Sequence, residues 1–176
     1  LSKARPGYGF LMEERGVVEG TDKTHRFIVD PLDGTLNFLH GKPHIAITNG
    51  LERDTELVAG VVYDVAKNEL FWAEKGQGAF LGDKRLRVAA RTKLADALVV
   101  TGMAHPTRID PTARGKFMAE FDRVAQATAG LRRSGSAALD LAWVAAGRFD
   151  AYWERSLSSW DIAAGAVIVR EAGGFA

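Results

Sequence analysis

A chain of 176 residues is long enough to bury a hydrophobic core, and its 23 basic and 22 acidic residues leave a net charge of only +1. This balance gives no electrostatic indication of direct nucleic-acid binding. The absence of cysteine excludes disulfides, thiolate metal sites and cysteine nucleophiles, and it is consistent with a cytoplasmic protein. The longest apolar runs, such as residues 162–169, are too short to span a bilayer, so no membrane partner is predicted.

The first half of the chain is predicted to consist mainly of β-strands. Apolar and β-branched residues between polar turns place strands at residues 25–29, 44–51, 57–65, 69–74, 79–81, 85–88 and 97–101. The first of these strands is expected to end at Asp30 and Pro31. The short strands at 79–81 and 85–88 are expected to form a hairpin around Gly82 and Asp83.

The second half is predicted to contain helices, each delimited by a capping residue and a glycine. The first predicted helix covers residues 110–130, with Asp110 as N-cap and Pro111 at the first helical position, and the second covers residues 136–147. A strand is predicted at residues 149–154. The last helix is expected to be capped by Ser158 or Ser159 and to end at Ala172. This mixed order predicts an α+β protein with layered sheets and helices.

No repeat or linker divides the sequence, so residues 1–176 are interpreted as a single domain. The chain does not begin with Met, and it stops at Gly-Gly-Phe-Ala just after the last predicted helix. We therefore expect an internal stretch of a longer protein, truncated at both ends.

Asp30 and Asp33 stand three residues apart in the motif Asp-Pro-Leu-Asp-Gly-Thr. Two carboxylates and an intervening carbonyl are hard oxygen ligands of the kind that Mg²⁺ prefers. Gly34 would let the backbone approach a ligand closely, and Thr35 begins a turn whose N–H groups could face a phosphate. An Asx turn with both acids in solvent explains the same spacing, which by itself does not decide between the two interpretations.

Two further acidic positions have structural explanations as well as functional ones. Asp161 lies in the first turn of the last predicted helix, where Ser158-x-x-Asp161 matches a capping box and an acid suits the helix dipole. The small residues at 163–165 would let this helix pack closely. Glu13 stands beside Glu14 in a polar stretch, which is typical of a solvated surface.

Taken together, these motifs resemble the inositol monophosphatase family. In order, the chain contains Glu-Glu at 13–14, Asp-Pro-Leu-Asp-Gly-Thr-x-Asn-Phe at 30–38, Arg-Ser-Gly-Ser-Ala-Ala at 133–138, Tyr-Trp-Glu at 152–154, and Trp-Asp-x-Ala-Ala-Gly at 160–165 followed by Glu-Ala-Gly-Gly. The resemblance covers nearly the whole chain. It implies the layered α/β/α/β/α sandwich of the inositol monophosphatase and fructose-bisphosphatase type.

The same resemblance implies a site that holds two or three Mg²⁺ ions. The implied metal ligands are Glu13, Asp30, the carbonyl of Leu32, Asp33 and Asp161. The implied catalytic residues are Glu13, Asp33 and Thr35, with Thr35 orienting the attacking water. The implied substrate contacts are Asp33, Gly34, Thr35, Gly135, Ser136, Ala137, Glu154 and Asp161. Among these, Gly34 and Thr35 would offer backbone N–H groups to the phosphate of the substrate. Residues 135–137 and Glu154 would bind the part of the substrate that carries the hydroxyl groups.

The implied function is a magnesium-dependent phosphomonoesterase that hydrolyses inositol monophosphate or a similar small polyol or sugar phosphate by metal-activated water. Lithium sensitivity and a homodimer are implied as well, and an acidic partner of Thr35 is expected in family helices that precede Leu1. Fructose bisphosphate, histidinol phosphate and nucleotide phosphates stay open as substrates. A regulatory role in ribosomal RNA synthesis, with transcription factors as partners, stays open as an alternative function.

Other phosphate and metal motifs do not match the sequence. An aspartyl-phosphate enzyme would have its two acids two residues apart, and no Walker-type lysine loop is present. Of the four histidines, His25, His40, His44 and His105, only His40 and His44 have His-x-x-x-His spacing, and the intervening Gly-Lys-Pro lacks the glutamate of the His-Glu-x-x-His zinc motif, which argues against a zinc hydrolase. Each is interpreted as structural or exposed.

Overall fold

The computed structural model describes residues 1–103 and 110–176 and contains two β-sheets together with four α-helices, which confirms the predicted α+β class. The strands are β1 (Gly9–Met12), β2 (Gly16–Val18), β3 (His25–Asp33), β4 (Ala46–Arg53), β5 (Glu56–Asp64), β6 (Glu69–Glu74), β7 (Gly78–Leu81), β8 (Lys84–Arg85), β9 (Leu98–Thr101), β10 (Gly130–Arg132) and β11 (Ala151–Trp153). The helices are α1 (Thr35–Leu39), α2 (Pro111–Ala127), α3 (Ala137–Ala145) and α4 (Ser159–Glu171), with a 3₁₀ turn at Leu94–Asp96.

The larger sheet has eight strands in the order β2-β1-β3-β4-β5-β6-β7-β8. Neighbouring strands are antiparallel except for β1 and β3, which run parallel and pair Met12 with Val29. Parallel strands end at the same edge of a sheet. The residues that follow β1, beginning with Glu13, therefore lie beside the end of β3, where Asp30 is found.

Helix α4 packs on one face of this sheet through close contacts at glycine. A Cβ atom added at Gly60 of β5 would lie 2.4 Å from the carbonyl oxygen of Ala164. Helix α3 approaches α4 in the same way, since a Cβ atom added at Gly165 would lie 2.6 Å from the Cβ of Leu141. Side chains at these glycines would push the elements apart, so the small residues fix the position of α4 and of Asp161 at its start.

The smaller sheet has the order β10-β9-β11, with all its strands parallel, and helices contact both of its faces. Tyr152 of β11 packs on the core that α3 and α4 share with the large sheet, whereas Trp153 contacts Phe117 of α2 with ring centroids 6.4 Å apart. Successive strand residues point to opposite faces. The layers therefore run large sheet, α3 with α4, small sheet and α2, in the alternation that the predicted sandwich requires.

Strand β3 continues past the point at which the sequence predicts its end. Asp30 pairs with Thr48 and Asp33 with Ala46, so β3 has one residue more than β4 between the two pairs. Pro31 lies in this bulge with an exposed side chain, where its missing N–H breaks no ladder hydrogen bond. Residues three apart normally point to opposite faces of a sheet, and the extra residue lets both carboxylates lie on one side.

Several short elements were not predicted from the sequence. β1 and β2 form a hairpin of four and three residues around the turn that begins at Glu13, and α1 has no buried residue to produce a periodic pattern. The prediction that Gly130 ends the preceding helix was wrong, because α2 ends at Ala127 and Gly130 begins β10. β8 and β11 are shorter than predicted, and His105 lies outside the described residues.

The predicted caps were correct for all three long helices. Asp110 caps α2 by accepting from the N–H of Thr112, Ser136 caps α3, and Ser158 caps α4. No helix in the described part of the chain is long and apolar enough to cross a lipid bilayer.

Candidate metal centre

Three aspartates from distant parts of the sequence meet where β3 ends. Asp30 and Asp33 lie at the end of β3, and Asp161 lies in the first turn of α4. Each offers one carboxylate oxygen, and these oxygens all lie within 4.8 Å of one another. The Thr48 hydroxyl of β4 donates to the carbonyl of Trp160 at 3.2 Å, so the start of α4 is tied to the sheet beside the two β3 carboxylates.

Asp30 is almost completely buried, with 1% of its surface exposed. Burial raises the pKa of this carboxyl group to about 7, and repulsion by Asp33 and Glu13 acts in the same direction. The N–H of Leu32 donates to Asp30 Oδ1 at 2.8 Å and partly opposes this rise by favouring the charged form. Without a cation, Asp30 therefore carries a proton for much of the time near neutral pH.

Asp33 is buried as well, and the N-terminal turn of α3 orients its carboxylate. The Ser136 hydroxyl and the N–H of Ala138, the latter at 2.9 Å, both donate to Asp33 Oδ2. Burial nevertheless raises the pKa of Asp33 to about 6, with smaller contributions from the negative charges of Asp161 and Asp140. The site thus holds two carboxylates that resist ionisation in the absence of a positive charge.

Asp161 forms the capping box that the sequence predicts. Its Oδ2 accepts from the backbone N–H of Ser158 at 2.7 Å, and the Ser158 side chain accepts from the first turn of α4. The same carboxylate lies within the three-aspartate group. The structural and functional interpretations of Asp161 are therefore compatible, because capping places its side chain next to Asp30 and Asp33.

Glu13 lies beside this group without being one of its three members. Its backbone N–H donates to the carbonyl of Val29 at 3.3 Å, and its side chain is exposed. The exposed side chain is consistent with a solvated surface, and the parallel pairing of β1 with β3 places Glu13 next to Asp30.

The turn after β3 leads directly from the carboxylates into α1. Gly34 has a φ of 87°, a left-handed conformation that favours glycine, and a Cβ atom there would lie 2.9 Å from the carbonyl oxygen of His44. The Thr35 hydroxyl donates to the carbonyl of Leu32 at 3.1 Å. That carbonyl, predicted to bind metal, therefore lies within one turn of Asp33 and in contact with Thr35.

The segment Gly135, Ser136 and Ala137 forms the entry into α3 and lies next to this turn. A Cβ atom added at Gly34 would be 3.4 Å from the carbonyl oxygen of Gly135. Gly135 itself has a φ of 91°, and Ser136 accepts from the N–H of Leu139. The predicted phosphate-facing and hydroxyl-facing segments are therefore neighbours, although about a hundred residues separate them in the sequence.

Glu154 follows β11 and is half-buried against the end of β9. Its Oε2 accepts from the Tyr152 hydroxyl at 2.6 Å, and a Cβ atom added at Gly102 would lie 1.9 Å from the same oxygen. Burial raises the pKa of Glu154, and the charges of Asp33 and Asp161 contribute to this rise. Glu154 is therefore close enough to Asp33 and Asp161 for their charges to affect its pKa.

Two buried residues of this region, His44 and Asp140, have no functional role in the sequence prediction. His44 Nε2 lies 3.3 Å from Asp140 Oδ1, and Asp140 is 1% exposed. This contact confirms the structural interpretation of His44. An acidic residue between Leu139 and Leu141 in an apolar helix was the available signal, since such a carboxylate needs a buried partner.

His25, His40 and Asn37 are the remaining residues of the sequence analysis whose surroundings the structure describes. His25 is half-buried and contacts Asp22 at 2.9 Å, whereas His40 is exposed. Asn37 is a member of the motif that carries the resemblance but had no assigned role, and it donates hydrogen bonds to two backbone carbonyls.

The donor set suits a hard divalent cation. The clustered ligand atoms are all carboxylate oxygens, and the sequence contains no cysteine that could offer sulfur. The raised pKa values of Asp30 and Asp33 show that their negative charge lacks compensation, which a cation would supply in place of protons. The residues present therefore fit a magnesium site.

Comparisons with known proteins find similar sequences over the whole chain. The sequence profile described as "Inositol monophosphatase family" matches residues 1–176. An inositol-1-monophosphatase of Caulobacter vibrioides is 60% identical over 176 residues, which are 99% of this chain and 68% of that protein. The Nus factor SuhB of Pseudomonas aeruginosa is 45% identical over 177 residues, covering 99% of this chain and 65% of that protein.

The fold is similar to that of solved structures over nearly the whole chain. The extragenic suppressor protein suhB from Bartonella henselae has a TM-score of 0.94 and 54% sequence identity, with 99% of this chain and 66% of that chain covered. The chain thus spans about two thirds of the length of the relatives that it matches.

Proposed function

The chain belongs to the inositol monophosphatase family, and from this premise we propose that the protein is a magnesium-dependent phosphomonoesterase for inositol monophosphate or a similar small polyol or sugar phosphate. The supporting observation is the group of three aspartate oxygens within 4.8 Å. Three carboxylates this close repel one another and create a demand for cations. We further propose that residues 1–176 belong to a single domain of this enzyme.

The proposed ligands are Asp30, Asp33 and Asp161, joined by Glu13 and the Leu32 carbonyl. Five such oxygen donors would be enough to hold two or three ions that keep part of their water. Bound Mg²⁺ would lower the pKa of a water molecule and neutralise charge on the phosphate. Glu13 can take part because it follows Met12, which pairs with Val29, so its exposed side chain starts next to Asp30.

Thr35 is proposed to orient the attacking water. Its hydroxyl hydrogen is directed to the Leu32 carbonyl, so the hydroxyl oxygen can accept a hydrogen bond from a water molecule beside the carboxylates. The N–H groups of Gly34 and Thr35 are proposed to bind the phosphate, because amides in the first turn of a helix have no intrahelical acceptor. Positioning of water and phosphate by the same turn would support direct attack without a protein phosphoester.

The hydroxyl-rich part of the substrate is proposed to lie against residues 135–137 and Glu154. Ser136 and the backbone at Gly135 supply hydrogen-bonding groups, and the Glu154 carboxylate can accept from two adjacent hydroxyls. Asp33 and Asp161 would contact the phosphate side. Fructose bisphosphate, histidinol phosphate and nucleotide phosphates remain candidate substrates, because each also combines a phosphate ester with hydroxyl groups.

A phosphate-release assay on the complete protein tests this function. We expect hydrolysis of inositol 1-phosphate with Mg²⁺, none in excess chelator, and inhibition by millimolar lithium, with a panel of the other phosphates run in parallel. Asp83→Asn, in an exposed turn, is the matched control for Asp33→Asn. Full activity in excess chelator, or normal turnover of Asp33→Asn, would contradict the proposed site.

A role in transcription is the second candidate function. It is favoured by the 45% identity to a protein named Nus factor SuhB, although identity to the named phosphatase is higher. A pull-down with transcription factors, performed on the wild type and on Asp33→Asn, would separate the two functions. Partner capture by a catalytically inactive variant would establish regulation independent of hydrolysis. We also propose a homodimer and a cytoplasmic location; sedimentation analysis tests the former and cell fractionation the latter.

A further inference from the structure

Asn37 joins two neighbouring segments to which the proposed function assigns different parts of the substrate. Its side-chain nitrogen donates to the carbonyl of His44 at 2.8 Å and to the carbonyl of Ser134 at 3.0 Å. The first acceptor begins the segment that enters β4, and the second precedes α3. One amide group of α1 therefore connects the turn after Asp33 to a segment 97 residues further along the chain.

Gly135 packs directly against this amide. A Cβ atom added at Gly135 would lie 3.0 Å from Asn37 Oδ1 and 3.1 Å from Asn37 Nδ2. Because Gly135 is also in a left-handed conformation, its backbone is held in one arrangement against the Asn37 side chain. The next two residues are Ser136 and Ala137, so the position of this hydroxyl-facing segment depends on Asn37.

A second connection runs parallel to the first. The His44 ring contacts the buried carboxylate of Asp140 in the first turn of α3, and Lys42 Nζ donates to the carbonyl of Ser134. Asp33, by contrast, has its own backbone support in the pairing of β3 with Ala46 of β4. Ser136 and Ala138 are also bonded directly to Asp33, so loss of the Asn37 side chain should shift Ser134 and Gly135, which precede them, more than it shifts Asp33.

We propose that Asn37 is a positioning residue. It sets the separation between the phosphate-facing turn at Gly34 and Thr35 and the hydroxyl-facing segment at 135–137. This separation selects phosphate esters of polyhydroxyl alcohols. The inference rests on the proposed function for the identity of the two ends. Its physical basis is that an amide donating to two carbonyls acts as a spacer of fixed length. Discrimination between substrates needs such fixed positioning, because misplaced hydrogen-bonding groups leave a substrate hydroxyl unpaired.

Two variants of the complete protein test this role, Asn37→Ala and Asn37→Asp. Both remove the donor hydrogens, but only the second adds charge. Asn68→Asp, in an exposed turn, is the matched control for that added charge. Steady-state kinetics at saturating Mg²⁺ would compare inositol 1-phosphate with p-nitrophenyl phosphate, whose alcohol carries no further hydroxyl group.

Both Asn37 variants are expected to raise KM for inositol 1-phosphate by about tenfold or more, while kcat/KM for p-nitrophenyl phosphate changes by less than about threefold. The Asn68 variant should match the wild type. Equal losses for both substrates, or an effect of Asn37→Asp alone, would overturn the proposal, because the first indicates general damage and the second an effect of charge.

Hydrogen exchange provides a readout that does not depend on activity. In the substrate-free protein, the amides of Ala138 and Leu139 donate to Asp33 and Ser136 and should exchange about tenfold faster in both Asn37 variants. Unchanged exchange there would refute the positioning role. A wild type that hydrolyses neither substrate would refute the proposed function instead, and the exchange measurement would still decide whether Asn37 holds the segment.

Discussion

Replacement of Asp33 by Asn is expected to stabilise the metal-free protein at neutral pH. Burial raises the pKa of Asp33 from its ordinary value of 3.8 to about 6 in the folded state. Between these two values the folded protein holds a proton that the unfolded chain has released, so the free energy of unfolding falls as the pH rises through this interval. Above it, the charged carboxylate is a continuing source of instability that a neutral amide removes.

The size of the effect follows from the difference between the two pKa values. At about 1.4 kcal/mol per pKa unit, it corresponds to about 3 kcal/mol of unfolding free energy above pH 6. Asn can keep an oxygen where Ser136 and Ala138 donate, so the hydrogen bonds to the α3 entry need not be lost. For a protein of this size, the change corresponds to a melting temperature higher by roughly 6–12 °C.

Urea denaturation with excess chelator at pH 4.5 and pH 7.5 measures this difference. The wild type should lose about 2 kcal/mol more than Asp33→Asn between the two pH values, because part of the full effect is already present at pH 4.5. Asp83→Asn, an exposed turn substitution with the same change in formal charge, should behave like the wild type. A parallel pH dependence in wild type and Asp33→Asn would show that the buried charge is compensated within the folded protein, and the reasoning would be refuted.

Three further predictions concern other positions. Asp161→Asn should keep its melting temperature, since the amide oxygen of Asn can still accept from the N–H of Ser158. Its phosphate release should fall by about two orders of magnitude or more and need more magnesium. Wild-type turnover at low magnesium would leave Asp161 as a member of the capping box only. Gly60→Ala should destabilise the protein by about 2–3 kcal/mol in urea denaturation, because its Cβ would lie 2.4 Å from the Ala164 carbonyl oxygen. The control is Gly115→Ala, in an open position on α2, which should be neutral or stabilising. Glu154→Gln should raise KM for inositol phosphate more than it lowers kcat, and calorimetry should show unchanged metal binding; loss of that binding would contradict its assignment to the substrate side.

The sequence predicted the strands and helices that carry long or well-capped patterns. β6 has the predicted bounds, and the caps at Ser136 and Ser158 lie where expected, because local side-chain to backbone hydrogen bonds determine these features. The hairpin of β1 and β2 and the three residues of β10 were missed, because such short strands have no periodicity of their own and are stabilised by pairing with distant strands.

The candidate site, too, was predicted only in part from the sequence. Asp30, Asp33 and Asp161 were selected from motifs, and the oxygen-only chemistry followed from residue type, since ligand preference depends on the donor atom. The roles assigned to Glu13, Thr35 and Glu154 remain predictions.

What the sequence by itself determined is therefore the class of the fold, the starts of the long helices and the kind of ligand atom at the site. Only the tertiary structure decided that the three carboxylates converge within 4.8 Å, that burial raises the pKa of Asp30 and Asp33, and that Asn37 bridges segments 97 residues apart. The physical reason is one of range. Capping and turn formation act over a few residues, whereas burial and ligand convergence depend on the bulge in β3, the close contacts of α4 and the strand order of the sheet.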